Sequence, residues 1–193
     1  MKLTPPSFLV LGMLRLGARS GYAIKKTADL STRNFWPMSL AQVYPELARL
    51  EQAGLVTRRD DSHGERARSA YKMTERGEQT LLAWLRSPKI APAQVRDEAL
   101  VRLFFADALP PGDQLELVRR LRACDGTVAN QIRTEIIPLA DQANQHDLRF
   151  PAIVARLSAD LHAYAADWLG QLEQDLQAQI EASPQAPDPT RQP

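Results

Sequence analysis

Cys124 is the single cysteine of this 193-residue chain, which excludes an intrachain disulfide and any cysteine-rich zinc site and fits a reducing cytoplasm. Histidine is nearly as scarce. His63, His146 and His162 lie far apart, and none has a metal-ligand spacing to another histidine or to Cys124, so no metal site and no Cys-His nucleophile is expected. A glycine-rich loop followed by Lys-Ser or Lys-Thr is missing, which removes the common phosphate cradle. No apolar run approaches the roughly 20 residues that span a bilayer. Gly12 and Arg15 interrupt the apolar stretch from Phe8 to Leu16, which therefore reads as a buried helix and not as a secretion signal. With no recognisable set of nucleophile, base and oxyanion donors, neither enzymatic activity nor a cofactor is expected.

Net charge is also nearly absent, at +1, but its distribution is not even. Residues 1–87 hold 14 Lys and Arg against 8 Asp and Glu, whereas residues 88–193 hold 10 against 15. A basic front and an acidic back suggest that only the front meets a polyanion.

What is present in the front is an ordered set of helix signals. Thr4-Pro5 starts a helix that is apolar nearly all round, and Gly17 ends it. Ser20 caps a second helix from Gly21 to about Leu30, with Tyr22, Lys25, Lys26 and Asp29 on one face. Ser39 caps a third, in which Leu40, Val43, Leu47 and Leu50 form a buried stripe, Gln42, Glu46 and Arg49 point outward, and Tyr44 sits at the boundary. Pro45 should kink this helix, and Gly54 ends it. Leu55 to Arg59 and Arg68 to Met73 read as paired strands around a turn-rich connection containing His63 and Gly64. Thr74 then caps a fourth helix that stops at Ser87-Pro88.

Beyond a short proline-containing linker the chain reads as all helix. One helix is expected around Val95 to Ala106. A long one follows with the stripe Leu117, Leu121, Cys124, Val128, Ile132 and Ile136, and a last one repeats Leu157, Leu161, Tyr164, Trp168, Leu172, Leu176 and Ile180. These near-heptad spacings suit two arms of a helical hairpin. The expected fold is mainly α with a small two-stranded wing. A winged helix-turn-helix head occupies residues 1–87, a helical dimerisation domain residues 88–181, and a proline-rich disordered tail residues 182–193.

Three segments in order, Asn34-Phe-Trp-Pro-Met-Ser39, Gln42-Val-Tyr-Pro-Glu-Leu-Ala-Arg-Leu-Glu-Gln-Ala-Gly-Leu-Val56 and Arg66-Ala-Arg-Ser-Ala-Tyr-Lys-Met-Thr-Glu-Arg-Gly77, resemble the PadR family of bacterial transcriptional regulators. Ser20-Gly-Tyr-Ala-Ile24 looks like that family's His-Gly-Tyr-Glu-Leu start of helix two, with Ser and Ala as departures. The run from Arg96 to Pro110 and the helix of Trp168 resemble the family's larger subgroup, which adds a helical domain related to that of a virulence-gene activator. The resemblance implies a homodimer embraced by its C-terminal helices. It also implies two heads straddling double-stranded operator DNA, often an inverted repeat with ATGT and ACAT half-sites, in the bacterial cytoplasm and away from any membrane.

On this reading Gln42, Tyr44 and Arg49 are the groove candidates, and Lys25, Lys26, Ser39, Arg66 and Arg68 the candidates for fixing register on phosphates. Arg49 has a second reading, a simple pair with Glu46 on a solvated face, and Lys25 and Lys26 a second reading as ordinary surface lysines. Several regulators of this type respond to small aromatic compounds, which makes Trp84 and Trp168 candidate effector contacts, although aromatic residues at helical spacing more often fill a core. The alternative class is a winged-helix protein-interaction module that does not bind DNA.

Overall fold

The structure is a computed structural model and describes residues 3–61, 68–92, 95–144 and 148–182. The chain divides into two compact units, Met1–Pro92 and Ala93–Pro193. Among the described residues no helix is long and apolar enough to cross a membrane.

The first unit is built on α1 (Pro5–Arg15), α2 (Gly21–Asp29) and α3 (Leu40–Gln52), the antiparallel strands β1 (Val56–Asp61) and β2 (Arg68–Met73), and α4 (Glu75–Leu85). Helix starts follow local chemistry. The Ser20 hydroxyl accepts the Ala23 N–H at 3.1 Å and the Thr74 hydroxyl the Gly77 N–H at 3.0 Å, each satisfying a donor that the helix leaves without a partner. Gly54 takes a φ of +68°, the left-handed conformation that ends α3 and turns the chain into β1. α1 lies at the centre, packed against α2, α3, α4 and β2. Its Val10 and Leu11 are buried with Ile24, Val43, Leu47, Leu50 and Val56. Removing one such leucine side chain would cost about 2–5 kcal/mol.

Three expectations for this unit change. β1 begins at Val56, since Leu55 belongs to the turn, and it runs on to Asp61. Leu40 stands 38% exposed, because the first turn of α3 projects past the core. Glu46, expected outward, is buried at 8% exposure against α1. Helix α3 continues through Pro45, whose missing N–H leaves the Ala41 carbonyl without its usual partner.

The second unit contains α5 (Glu98–Phe104), a short 3-10 turn (Ala106–Ala108), α6 (Pro111–Gln131), a π-helical turn (Ile132–Ile136), α7 (Ile137–Asn144) and α8 (Arg149–Ala182). The expected helix at Val95 starts later, at Glu98, because Asp97 supplies the cap by accepting the Ala99 N–H at 2.8 Å. At the π turn the Ile137 N–H reaches back five residues to the Ile132 carbonyl. Pro138 follows directly, and the wider turn gives its ring room beside the preceding carbonyls.

α6 and α8 run antiparallel, as their bridges show. Glu173 accepts from Arg119 at 2.8 Å and from Arg122 at 2.9 Å, and His162 Nδ1 meets Asp125 at 2.7 Å, while Arg156 of α8 donates to Asp141 of α7 at 2.8 Å. The buried residues of α6 and the π turn are Leu115, Leu117, Val118, Ala129, Ile132 and Ile136, so the expected stripe holds at Leu117, Ile132 and Ile136, whereas Cys124 is exposed. On α8 the buried face is lined by Ala152, Ala155 and Ala159, small residues that let the helices approach closely. The large residues expected to make that contact face outward: Leu157, Leu161, Tyr164 and Trp168 are 57%, 61%, 70% and 52% exposed.

Hydrogen bonds from Arg119, and then from Arg122, hold the Glu173 carboxyl below the usual glutamate range. A carboxyl depressed in the folded state adds stability above its unfolded pKa, and that stability is lost as pH falls through the folded value. Glu173→Gln should therefore lower the melting temperature at neutral pH. Thermal melts of variant and parent should converge once the pH drops well below the ordinary glutamate range, and a gap that persists there would mean that Glu173 acts through packing alone.

Candidate nucleic-acid interface

The third helix positions the candidate contacts. Its core side is set by Val43, Leu47 and Leu50, so Leu40, Ala41, Tyr44, Pro45 and Ala48 project to solvent, with Gln42 and Arg49 exposed on the flank. Gln42 is folded back, its Oε1 accepting the Ser39 N–H at 2.9 Å. This is the reciprocal half of a capping box. A bidentate contact from Gln42 to a base edge would require it to leave the cap.

Tyr44 is held differently. Its ring lies over Gly21 at the start of α2, and a Cβ added at Gly21 would come within 2.6 Å of the ring. The absence of a side chain at residue 21 therefore sets where a residue of the next helix sits. In the sequence this glycine stands out only as part of a resemblance.

Arg49 pairs with Glu46 at 2.7 Å, while its side chain remains 45% exposed. The second reading of Arg49 is thus half of the outcome: the pair exists, but Glu46 is a buried carboxylate and not a solvated one. Lys25 pairs with Asp29 one turn on, and Lys26 is exposed.

Arg68 begins β2 opposite Asp61, while Arg66 and His63 lie outside the described residues. The strand register adds two cations that sequence reasoning missed. Thr57 pairs with Lys72 and Arg59 with Ala70, on the ribbon face opposite the buried Val56 and Tyr71, so Arg59 and Lys72 share the solvent face. Counting by twos from Val56 would have found them. Trp84 stacks on Phe8 with ring centroids 4.5 Å apart, which gives it a packing role in the first unit, whereas Trp168 belongs to the second. Neither lines the groove beside α5, of about 660 Å³, whose walls include Val95, Leu100, Phe104 and Phe105.

Residues 10–83 match the family described as the transcriptional regulator PadR-like family. The chain carries a PadR-like domain. It is 31% identical over 113 residues to the negative transcriptional regulator PadR of Bacillus subtilis, a stretch covering 58% of this chain and 62% of that relative. The chain thus spans somewhat under two thirds of that relative's length.

Among solved structures, B. subtilis PadR in complex with operator DNA superposes with a TM-score of 0.73 at 22% identity, over 88% of this chain and 98% of that one. The same protein with p-coumaric acid gives 0.71 at 22% identity, over 89% and 98%. The Vibrio cholerae virulence activator AphA gives 0.58 at 25% identity, over 92% and 98%. These likenesses extend beyond the PadR-like domain into the helical unit and establish a mostly helical winged-helix fold.

Proposed function

We propose that this protein is a dimeric, cytoplasmic transcriptional regulator of the PadR type, a repressor that holds an inverted-repeat operator and releases it on binding an effector. The observation that carries the reading is α3 of the PadR-like domain. It is a capped helix with a buried apolar face and a solvent side bearing Tyr44, with Gln42 and Arg49 exposed on its flank, beside a basic ribbon. A helix of this kind fits the major groove, where such side chains meet base edges. Lys25, Lys26, Ser39, Arg66 and Arg68 are assigned to phosphates, joined by Arg59 and Lys72. Residues 88–181 supply the dimer, for which the outward row on α8 offers the surface. A small phenolic acid is the effector class to test first, given the relative solved with p-coumaric acid. Trp84 and Trp168 serve as its fluorescence reporters.

The test is fluorescence anisotropy on a duplex selected by the protein from a random-sequence library, read across a salt series. Gln42→Ala should weaken binding to the selected duplex by about 1–3 kcal/mol and relax preference at one position of each half-site. Lys26→Ala should weaken binding to every sequence and flatten the salt dependence by roughly one unit for each phosphate it no longer neutralises. Binding that ignores salt, or no binding at all, would favour the protein-interaction module.

A further inference from the structure

The contact between Glu46 and α1 is unexplained by the fold. Ser7 is fully buried and donates from its hydroxyl to Glu46 Oε2 at 2.7 Å, while its oxygen receives the Thr4 N–H at 3.2 Å. The other carboxylate oxygen, Oε1, accepts from Arg49 Nη1 at 2.7 Å. Both oxygens of Glu46 are thus engaged, one by the first helix and one by an arginine on the flank of the third. An ion pair with only its carboxylate buried is a weak source of stability, since desolvating that charge offsets the attraction. What the chain of bonds does achieve is to fix one end of the Arg49 guanidinium while leaving the side chain half open to solvent.

We propose that Glu46 is a positioning and specificity-determining residue. Clamped by Ser7, it holds the Arg49 guanidinium in one orientation and neutralises it, so that Arg49 contributes to selecting sequence and little to holding phosphates at large. This rests on the DNA-binding reading above. The physical argument has two parts. An arginine already held loses less freedom when it meets a base edge, which favours the matching sequence. An arginine already paired releases fewer counterions on a random duplex, which weakens binding to all others.

Glu46→Gln separates these effects from mere packing. The amide keeps the shape and a hydrogen bond to Ser7, but it carries no charge, so Arg49 is no longer neutralised and is held less firmly. On a scrambled duplex the variant should bind about threefold tighter or more, with a salt dependence steeper by about one unit per subunit. On the duplex selected by the wild type it should bind no tighter, so the ratio of the two affinities falls about threefold or more. In an Arg49→Ala background the same change should leave that ratio where it is.

Ser7→Ala is the second variant, because alanine suits a helix and alters no charge. It should lower the ratio severalfold at unchanged salt dependence. A folded Glu46→Gln protein with wild-type ratio and slope overturns the proposal. If that variant does not fold, Ser7→Ala with a wild-type ratio overturns it. A wild type without salt-dependent DNA binding defeats the DNA reading itself, a distinguishable result.

Discussion

Gly77→Ala should unfold the PadR-like domain at temperatures where the parent is intact, with a loss of about 3 kcal/mol or more. A Cβ at this position would stand 2.1 Å from the Leu55 carbonyl oxygen and 2.9 Å from Met73 Cγ. The carbonyl cannot move aside freely, because it accepts the Thr74 N–H at 3.0 Å, and Gly77 is itself tied to the Thr74 hydroxyl. A shift would therefore break the start of α4 and the turn into β1 together. Gly12→Ala is the control. Nothing lies within 4 Å of its added Cβ, and alanine within α1 should be neutral or stabilise by about 0.5–1 kcal/mol. Urea unfolding followed by tryptophan fluorescence reads both, since Trp36 and Trp84 lie in the first unit. Similar midpoints for the two variants would show that α4 does not seat against the Leu55 turn as described.

Leu161→Glu should convert a dimer into monomers and with it remove most operator affinity. Phe150, Val154, Leu157, Leu161, Tyr164 and Trp168 follow one another at four- and three-residue steps along the outward side of α8, all substantially exposed. A row with that spacing suits the seam of a coiled coil, and burying each large side chain would be worth about 1.5–3 kcal/mol. In a two-fold interface one substitution occurs twice, and a carboxylate placed in the middle of the seam must be desolvated in both copies. Without the dimer, the second head no longer binds as a tethered partner, and affinity for an inverted repeat should fall by about 10²–10⁴-fold. Light scattering and anisotropy measure the two consequences. A variant still dimeric at micromolar concentration would place the interface elsewhere, and dimer loss with intact operator binding would mean that one head suffices.

Much of this was legible because it is local. Ser20 and Thr74 mark their helix starts through bonds to residues three positions away, and a sequence displays that distance directly. Glu46 was misread because its partner Ser7 is 39 residues earlier, and periodicity alone placed it on the polar side of α3. The helical unit was legible in part. The stripe of the long helix holds at Leu117, Val128, Ile132 and Ile136, but Cys124 is exposed and the buried Ala129 was passed over, because only bulky apolar residues were counted. On α8 the sequence reading counted only large residues, yet Ala152, Ala155 and Ala159 are the buried ones there, while Leu157, Leu161, Tyr164 and Trp168 are exposed. Size suggested burial; what decides it is which side of the helix already has a neighbour. The contact of Tyr44 with Gly21 was likewise out of reach, since a glycine gives no sign in sequence of what lies above it.

The five residues from Ile132 to Ile136 also bear on how relatives are compared. A π turn is an α-helix carrying one residue too many, and everything after it is rotated by about 100° relative to an uninterrupted helix. A homologue whose helix is unbroken across this stretch lacks the extra residue. Aligning its unbroken helix with this one requires a single-residue gap inside 132–136. An ungapped alignment would keep every apolar position matched up to that point and then assign the face of Ile137 to Asn144 to the wrong side.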